Sequence, residues 1–169
     1  DRGFQVPLRM VSEVHMPTER ASEVLYTLLL AVGLSVAIPA PLEAQDFELL
    51  EATIEDVHSA MEDGRITCRS LVQGYIDRIE AFDQTGPRLN AIQHLNQRAL
   101  DKADSLDASM RSTGISGPLH CIPVLLKDQV ETADMPTTYG SALFQDFVPT
   151  RDATITTRMR AAGAIILAK

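Results

Sequence analysis

The sequence predicts an α/β domain over residues 46–169, and three observations carry that prediction. From Asp46 onward helical periodicities alternate with short apolar runs of strand length, glycine and proline bound those runs, and no internal repeat or low-complexity stretch interrupts the order. At 169 residues, with 45% hydrophobic and 22% charged side chains, the chain can bury one proper core.

The elements follow in order. Ile54, Val57 and Met61 recur at i, i+3, i+7 behind Thr53, whose hydroxyl can cap a helix, with Asp56 as a capping-box partner and Gly64 as a stop. Thr67 opens a second helix with Leu71, Val72, Tyr75, Ile76, Ile79 and Phe82 on one face, ended by Gly86-Pro87. Leu89 to Leu95 reads as a short strand. Ala99, Ala103, Leu106 and Met110 then make a third helix that stops at Gly114. Ile122-Pro123-Val124-Leu125-Leu126 is a continuous apolar run, as in a strand buried on both faces, with Lys127 at its end. Asp152 is placed to cap a last helix with Ile155, Met159 and Ala162 inward, Gly163 ends it, and Ala164 to Ala168 is a second buried strand. A strand-helix-strand unit that finishes in an apolar strand reads as a truncated domain.

Residues 1–45 form a separate leader. Leu25 to Ile38 is a 14-residue apolar run interrupted only by Thr27, Gly33 and Ser35, and Pro39 and Pro41 break it. That length suits the core of a signal peptide spanning residues 16–44 and is too short for a membrane span. Arg20, flanked by Glu19 and Glu23, gives a weak positive region, and Leu42 is bulky for a cleavage site. Export, periplasmic or secreted, follows if the segment is a signal peptide, and a cytoplasmic location otherwise. Met10 and Met16 are both candidate starts, and Met16 would leave residues 1–15 without meaning.

Fifteen basic against 23 acidic residues give a net charge of −8, with no basic cluster, so phosphate backbones are repelled and nucleic acid is not an expected partner. Cys68 and Cys121 lie far apart without CxxC spacing, so neither a zinc site nor a disulfide framework is signalled.

Lys127-Asp128 is the first candidate for chemistry. Ligand sites in open α/β sheets gather at the carboxyl ends of strands, and a lysine delivered there by a buried strand is partly desolvated, which favours a neutral amine able to act as a base. A lysine that snorkels to solvent would give the same pattern. His120-Cys121 invites a Cys-His nucleophile, but neighbours in an extended segment point to opposite faces, and a small buried cysteine beside a loop histidine covers the observation. Asp128, Glu131 and Asp134 lack calcium-loop spacing and read as solvated loop charges. Asn90, Gln93, His94 and Asn96 form a polar cluster. Thr137-Thr138-Tyr139-Gly140-Ser141 is a polar turn in which Ser141 lacks a Gly-rich elbow, so its role reads as structural.

Gly117-Pro118-Leu119-His120-Cys121-Ile122-Pro123-Val124-Leu125-Leu126-Lys127-Asp128 resembles the Gly-Pro-Leu-His-Gly-Ile-Pro-x-x-x-Lys-Asp stretch of the amidase-signature hydrolases. Met135-Pro136-Thr137-Thr138 through Gly140-Ser141, the run from Thr53 through Thr67 to Leu89-Asn90-Ala91, and Asp152 to Leu167 continue the likeness over about 120 residues. The resemblance implies an α/β/α fold with a mixed central sheet, here its N-terminal part. It also implies hydrolysis of a small-molecule or peptide amide to acid and ammonia or amine, without metal or organic cofactor. In such enzymes the lysine matching Lys127 is the terminal base for a serine held by a cis peptide bond, which activates a nucleophilic serine. Both serines lie in Gly/Ser-rich segments of the family, and none of the 42 residues after Lys127 matches them, so this chain alone is expected to be inactive. Cys121 stands where the family usually has glycine, Gln129 where it has asparagine, and Tyr139 replaces a smaller residue. The apolar Val124-Leu125-Leu126 run favours a stand-alone exported amidase over the transamidosome component. A truncated or degenerate non-catalytic member, or a partner-binding scaffold, is the competing class. Oligomeric state is not encoded legibly.

Overall fold

The computed structural model describes residues 47–169. The expected leader, its apolar core and the signal peptide therefore lie outside the described residues.

Helix α1, Ile54–Glu62, starts where expected. Thr53 Oγ1 accepts the Asp56 N–H at 3.1 Å while Asp56 Oδ2 accepts the Thr53 N–H at 2.9 Å, so two orphan donors of the first turn are satisfied reciprocally. It buries Val57, Ala60 and Met61. Helix α2, Cys68–Ile79, repeats the device with Thr67 and Ser70. Its N-terminus gains a second cap from another element: Asp107 accepts the backbone N–H groups of Cys68 at 2.7 Å and Arg69 at 3.0 Å. A carboxylate there complements both the free donors and the positive end of the helix dipole.

After α2 the chain makes one π-helical turn over Glu80–Gln84 and enters a loop organised by Asp83. Asp83 Oδ1 accepts the N–H groups of Ala91 at 2.6 Å and Ile92 at 3.2 Å, and its carbonyl accepts the Asn90 N–H. Here the structure corrects the strand expected over Leu89–Leu95. Arg88 and Asn90 adopt positive φ, and the donors a ladder would use are spent on Asp83, so only the Leu95–Ala168 antiparallel bridge forms. Helix α3, Ala99–Thr113, follows with Ala99, Ala103 and Leu106 buried, and ends at Gly114, φ 76°.

Strand β1, Pro123–Leu125, pairs in parallel with β2, Ile165–Ala168, in the register Pro123 to Ile165, Val124 to Ile166 and Leu125 to Ala168. Between them lies helix α4, Thr154–Ala161. Contrary to expectation, Asp152 does not cap α4 with its side chain; it accepts the Ala133 N–H at 2.8 Å and pairs with Arg160 at 3.1 Å. Thr156, not Ile155, is the buried position of α4, because the Thr156 hydroxyl donates to the Glu131 carbonyl while Ile155 stays exposed.

The pleat of β2 produces the layers. Ile165 and Leu167 pack in the cluster that holds Val57, Leu71, Val72 and Leu106 of α1 to α3, whereas Ile166 packs with Leu126, Met135 and Met159 of α4. All four residues of β2 are buried, since β1 flanks one edge and residues 93–96 the other, where the Asn96 N–H donates to the Leu167 carbonyl at 2.9 Å. Among the described residues the sheet is this parallel pair, with the isolated antiparallel bridge at the other edge of β2 and helices packed on both faces, an α/β arrangement.

Candidate functional site

The carboxyl ends of β1 and β2 lie side by side, because the Leu126 N–H donates to the Ala168 carbonyl at 3.0 Å. Lys127 leaves β1 at this edge and Lys169 leaves β2. Their surroundings differ. Along residues 125–128 burial alternates, with Leu125 and Lys127 exposed and Leu126 and Asp128 buried, as a strand with one covered face requires. Leu125 is 56% exposed. The expectations of a strand buried on both faces and of a desolvated Lys127 are therefore corrected: no residue of β1 is fully buried, and Lys127, two residues past its end, is exposed. The lysine that the described residues bury is Lys169, 4% exposed.

Lys169 was not singled out by sequence reasoning, although it follows an apolar strand as Lys127 does. Its Nζ donates to Thr137 Oγ1 at 2.6 Å, to the Pro136 carbonyl at 2.9 Å and, more weakly, to the Asp128 carbonyl at 3.4 Å. Burial pushes its pKa below the ordinary lysine value, opposed by the negative charges of Asp128, Asp134, Glu131 and Asp152.

Asp128 is not a solvated loop charge. Its carboxylate accepts the Thr138 N–H at 3.0 Å, the Thr138 hydroxyl at 2.9 Å and the Gly140 N–H at 3.3 Å. Burial raises its pKa, but these hydrogen bonds together with Lys169 outweigh it, and the net shift is downward. The other two carboxylates of the trio are also engaged: Glu131 accepts the Tyr139 hydroxyl at 2.8 Å, and Asp134 pairs with Arg160 at 2.7 Å and accepts from Asn96 at 3.2 Å. The three are thus held apart by separate partners, and among the described residues no group of three or more His, Cys, Asp or Glu is placed to hold a metal. The loop they anchor, residues 127–140, begins with a turn closed by the Val130 N–H on the Lys127 carbonyl, and the exposed Gln129 sits inside that turn.

Ahead of β1, the Gly117–Cys121 segment is pressed against the end of α4. A Cβ on Gly117 would come within 2.5 Å of the Ala162 carbonyl oxygen, and one on Gly163 within 2.8 Å of the His120 Cα, so both glycines are needed for close approach. Cys121 and Tyr139 adopt φ 65° and 53°. Two of the three departures from the family pattern thus fall in the left-handed region that favours glycine. Cys121 is bonded to Cys68, with Cα atoms 5.5 Å apart, which corrects the reading that the two cysteines signal no disulfide. Spacing could not show the pair because 53 residues separate them. With its sulfur in a disulfide, Cys121 offers no thiolate nucleophile.

His120 is fully buried, and its Nδ1 faces the Ser116 hydroxyl at 2.7 Å and the Ser116 N–H at 3.4 Å, while its Nε2 has no partner among the described residues. Burial first, then the neighbouring His58, lowers its pKa. Ser141 Oγ caps a single 3-10 turn over Ala142–Phe144 by accepting the Leu143 N–H, in line with a structural role. Asn90, Gln93 and His94 line a cavity of about 580 Å³ with Thr138, Gly140 and Ser141, whereas Asn96 turns inward to the Ile166 carbonyl at 2.8 Å.

Known proteins share this fold. The fold matches the crystal structure of a peptide amidase from Stenotrophomonas maltophilia with a TM-score of 0.70 and 42% identity, over 73% of this chain and 25% of that one. In sequence the chain is 37% identical over 145 residues to a probable amidase of Arabidopsis thaliana, covering 84% of this chain and 27% of that protein. It is 34% identical over 121 residues to one of the subunits of the glutamyl-tRNA(Gln) amidotransferase of Exiguobacterium sibiricum, covering 72% of this chain and 24% of that protein. The chain thus spans about a quarter of the length of these relatives. The family model named Amidase matches residues 70–169, which include the Lys127 strand, the loop braced on Asp128 and the strand ending at Lys169; the chain belongs to the amidase-signature family.

Proposed function

We propose that this chain is the lysine-bearing part of an enzyme that hydrolyses carboxamides, with Lys127 as the terminal base of a Ser-cisSer-Lys relay. The observation that carries the reading is the position of Lys127, just past the carboxyl end of β1 and first in the braced loop. In this mechanism the Lys127 amine takes a proton from the hydroxyl of the cis-peptide serine, which takes one from the nucleophilic serine as its oxygen attacks the amide carbon. Backbone N–H groups stabilise the tetrahedral oxyanion, the leaving amine takes the relayed proton, and water releases the acyl group. On this reading the two serines belong to Gly/Ser-rich segments other than these 169 residues, and the chain by itself is proposed not to turn over. An exposed Lys127 fits this, since cover and desolvation of its amine would come from the serine-bearing part.

The substrate class we infer is a small or peptide amide. Supporting it is the likeness to the peptide amidase, which has also been crystallised with the competitive inhibitor chymostatin. The net charge of −8 argues against a transfer-RNA substrate. The test is an assay of the gene's complete product on a panel of primary amides, including a peptide amide. Release of ammonia that Lys127→Ala abolishes is the expected result; hydrolysis insensitive to that change would sink the mechanism. Absence of hydrolysis with every amide would favour a non-catalytic scaffold.

The disulfide also bears on location. Bridges persist in oxidising compartments, so Cys68–Cys121 supports an exported protein. Thiol trapping of freshly lysed cells tests this: recovery of Cys68 and Cys121 as free thiols would count against export.

A further inference from the structure

We infer that Lys169 is a positioning residue for Lys127: its buried ammonium group ties the first residues after β1 to the Pro136–Thr137 turn and so fixes the strand end from which Lys127 projects. This role rests on the reading of Lys127 as the base. Three contacts carry the inference. Nζ has three N–H donors, and the Thr137 hydroxyl, the Pro136 carbonyl and the Asp128 carbonyl stand at 2.6, 2.9 and 3.4 Å from it. Two of these acceptors lie in one turn and the third is the carbonyl of the residue that follows Lys127.

The clamp has two jaws. From one side Lys169 holds Pro136 and Thr137; from the other the Asp128 carboxylate holds Thr138 and Gly140. Lys169 is in turn fixed in its own backbone, its N–H donating to the His94 carbonyl at 2.9 Å and its carbonyl accepting from Gln93 at 2.7 Å. A charge so shielded from water is retained at a desolvation cost, which the facing carboxylates Asp128, Glu131, Asp134 and Asp152 offset only at a distance: none of them forms an ion pair with it among the described residues. Thr137, fully buried, offers its oxygen to nothing but this ammonium group among the described side chains.

Hydrogen exchange by NMR on the complete gene product tests the clamp by comparing the wild type with Lys169→Met, which keeps an unbranched stem and removes the charge. The Val130, Thr138 and Gly140 amides, bonded to the Lys127 carbonyl and the Asp128 carboxylate, are expected to exchange at least about tenfold faster, with Val72 and Ile76 of α2 unchanged. Uniform acceleration would mean a merely structural role, and no acceleration would mean no role; either overturns the proposal. If Lys169→Met does not fold, Thr137→Val, nearly equal in volume, must accelerate the same three amides. In the complete gene product Lys169→Met is expected to lower kcat at least about tenfold while KM stays within about twofold, and an unchanged kcat refutes it. Hydrolysis that survives Lys127→Ala removes the amidase mechanism alone, since the exchange measurement reads the clamp without any turnover.

Discussion

Cys121 is joined to Cys68 across 53 residues of chain while its own backbone sits at φ 65°, in a region where glycine is the natural occupant. The bond fastens the N-terminus of α2 to the turn that launches β1, so the strand carrying Lys127 is anchored covalently to the helical layer. The pair is fully buried.

Removing the bond is expected to destabilise the fold strongly. Closing a loop of this length lowers unfolded-state entropy by an amount equivalent to about 4 kcal/mol. Urea unfolding with and without reductant, and of Cys68→Ser, should show an unfolding free energy lowered by that order and a correspondingly lower midpoint; an unchanged midpoint would contradict the bridge.

At Cys121 the backbone strain should be separable from the bond. In a Cys68→Ala background, Cys121→Gly is expected to be more stable than Cys121→Ala by about 1 kcal/mol, because only glycine adopts positive φ without steric cost. Denaturation of the two double variants measures this directly, and a preference for alanine would contradict the left-handed conformation.

His120 sets an acid limit. Its pKa in the folded protein is below the ordinary 6.5, so the unfolded chain binds its proton first; the stability it contributes is complete above pH 6.5 and is lost as pH falls through the folded value. Stability should therefore decline below pH 6.5 with a slope of up to about 1.4 kcal/mol per pH unit. His120→Asn, which keeps an acceptor for Ser116 and cannot titrate, is expected to flatten that slope. An equally steep decline in the variant would assign the limit to another group.

Asp128→Asn exchanges a carboxylate that accepts three hydrogen bonds for an amide whose NH₂ faces the Thr138 or Gly140 donors. A loss of about 2–3 kcal/mol is expected, the range for charged hydrogen bonds left broken in a buried place. Because the Asp128 pKa is held below its ordinary 3.8, the wild-type advantage is present above that pH and lost as pH falls through the lower folded value. Chemical denaturation at pH 7 and at acid pH should show the gap between the two proteins closing.

Much of this architecture is written locally. Thr53 with Asp56 and Thr67 announce the two helix starts, and Gly64 and Gly114 mark helix ends. The apolar run before Lys169 is the buried central strand. These features depend on residues three or four apart, which the chain brings together whatever else it does. Where local pattern misled, a partner beyond helical spacing had intervened: Asp83, eight residues from Ala91, accepts N–H groups of the segment expected as a strand, and the Glu131 carbonyl accepts the buried Thr156 hydroxyl of α4.

Family membership, the order of the four helices and the two paired strands, and the place of Lys127 just past β1 are legible in the residues alone, whereas the strand expected over Leu89–Leu95 is not there. Three things waited for the packed layers: Lys127 faces solvent while Lys169 is buried, Cys68 meets Cys121, and Asp128 braces a loop instead of meeting water. Burial and bonding between groups far apart in sequence depend on which faces the layers cover, and a one-dimensional pattern of polar and apolar residues does not record that.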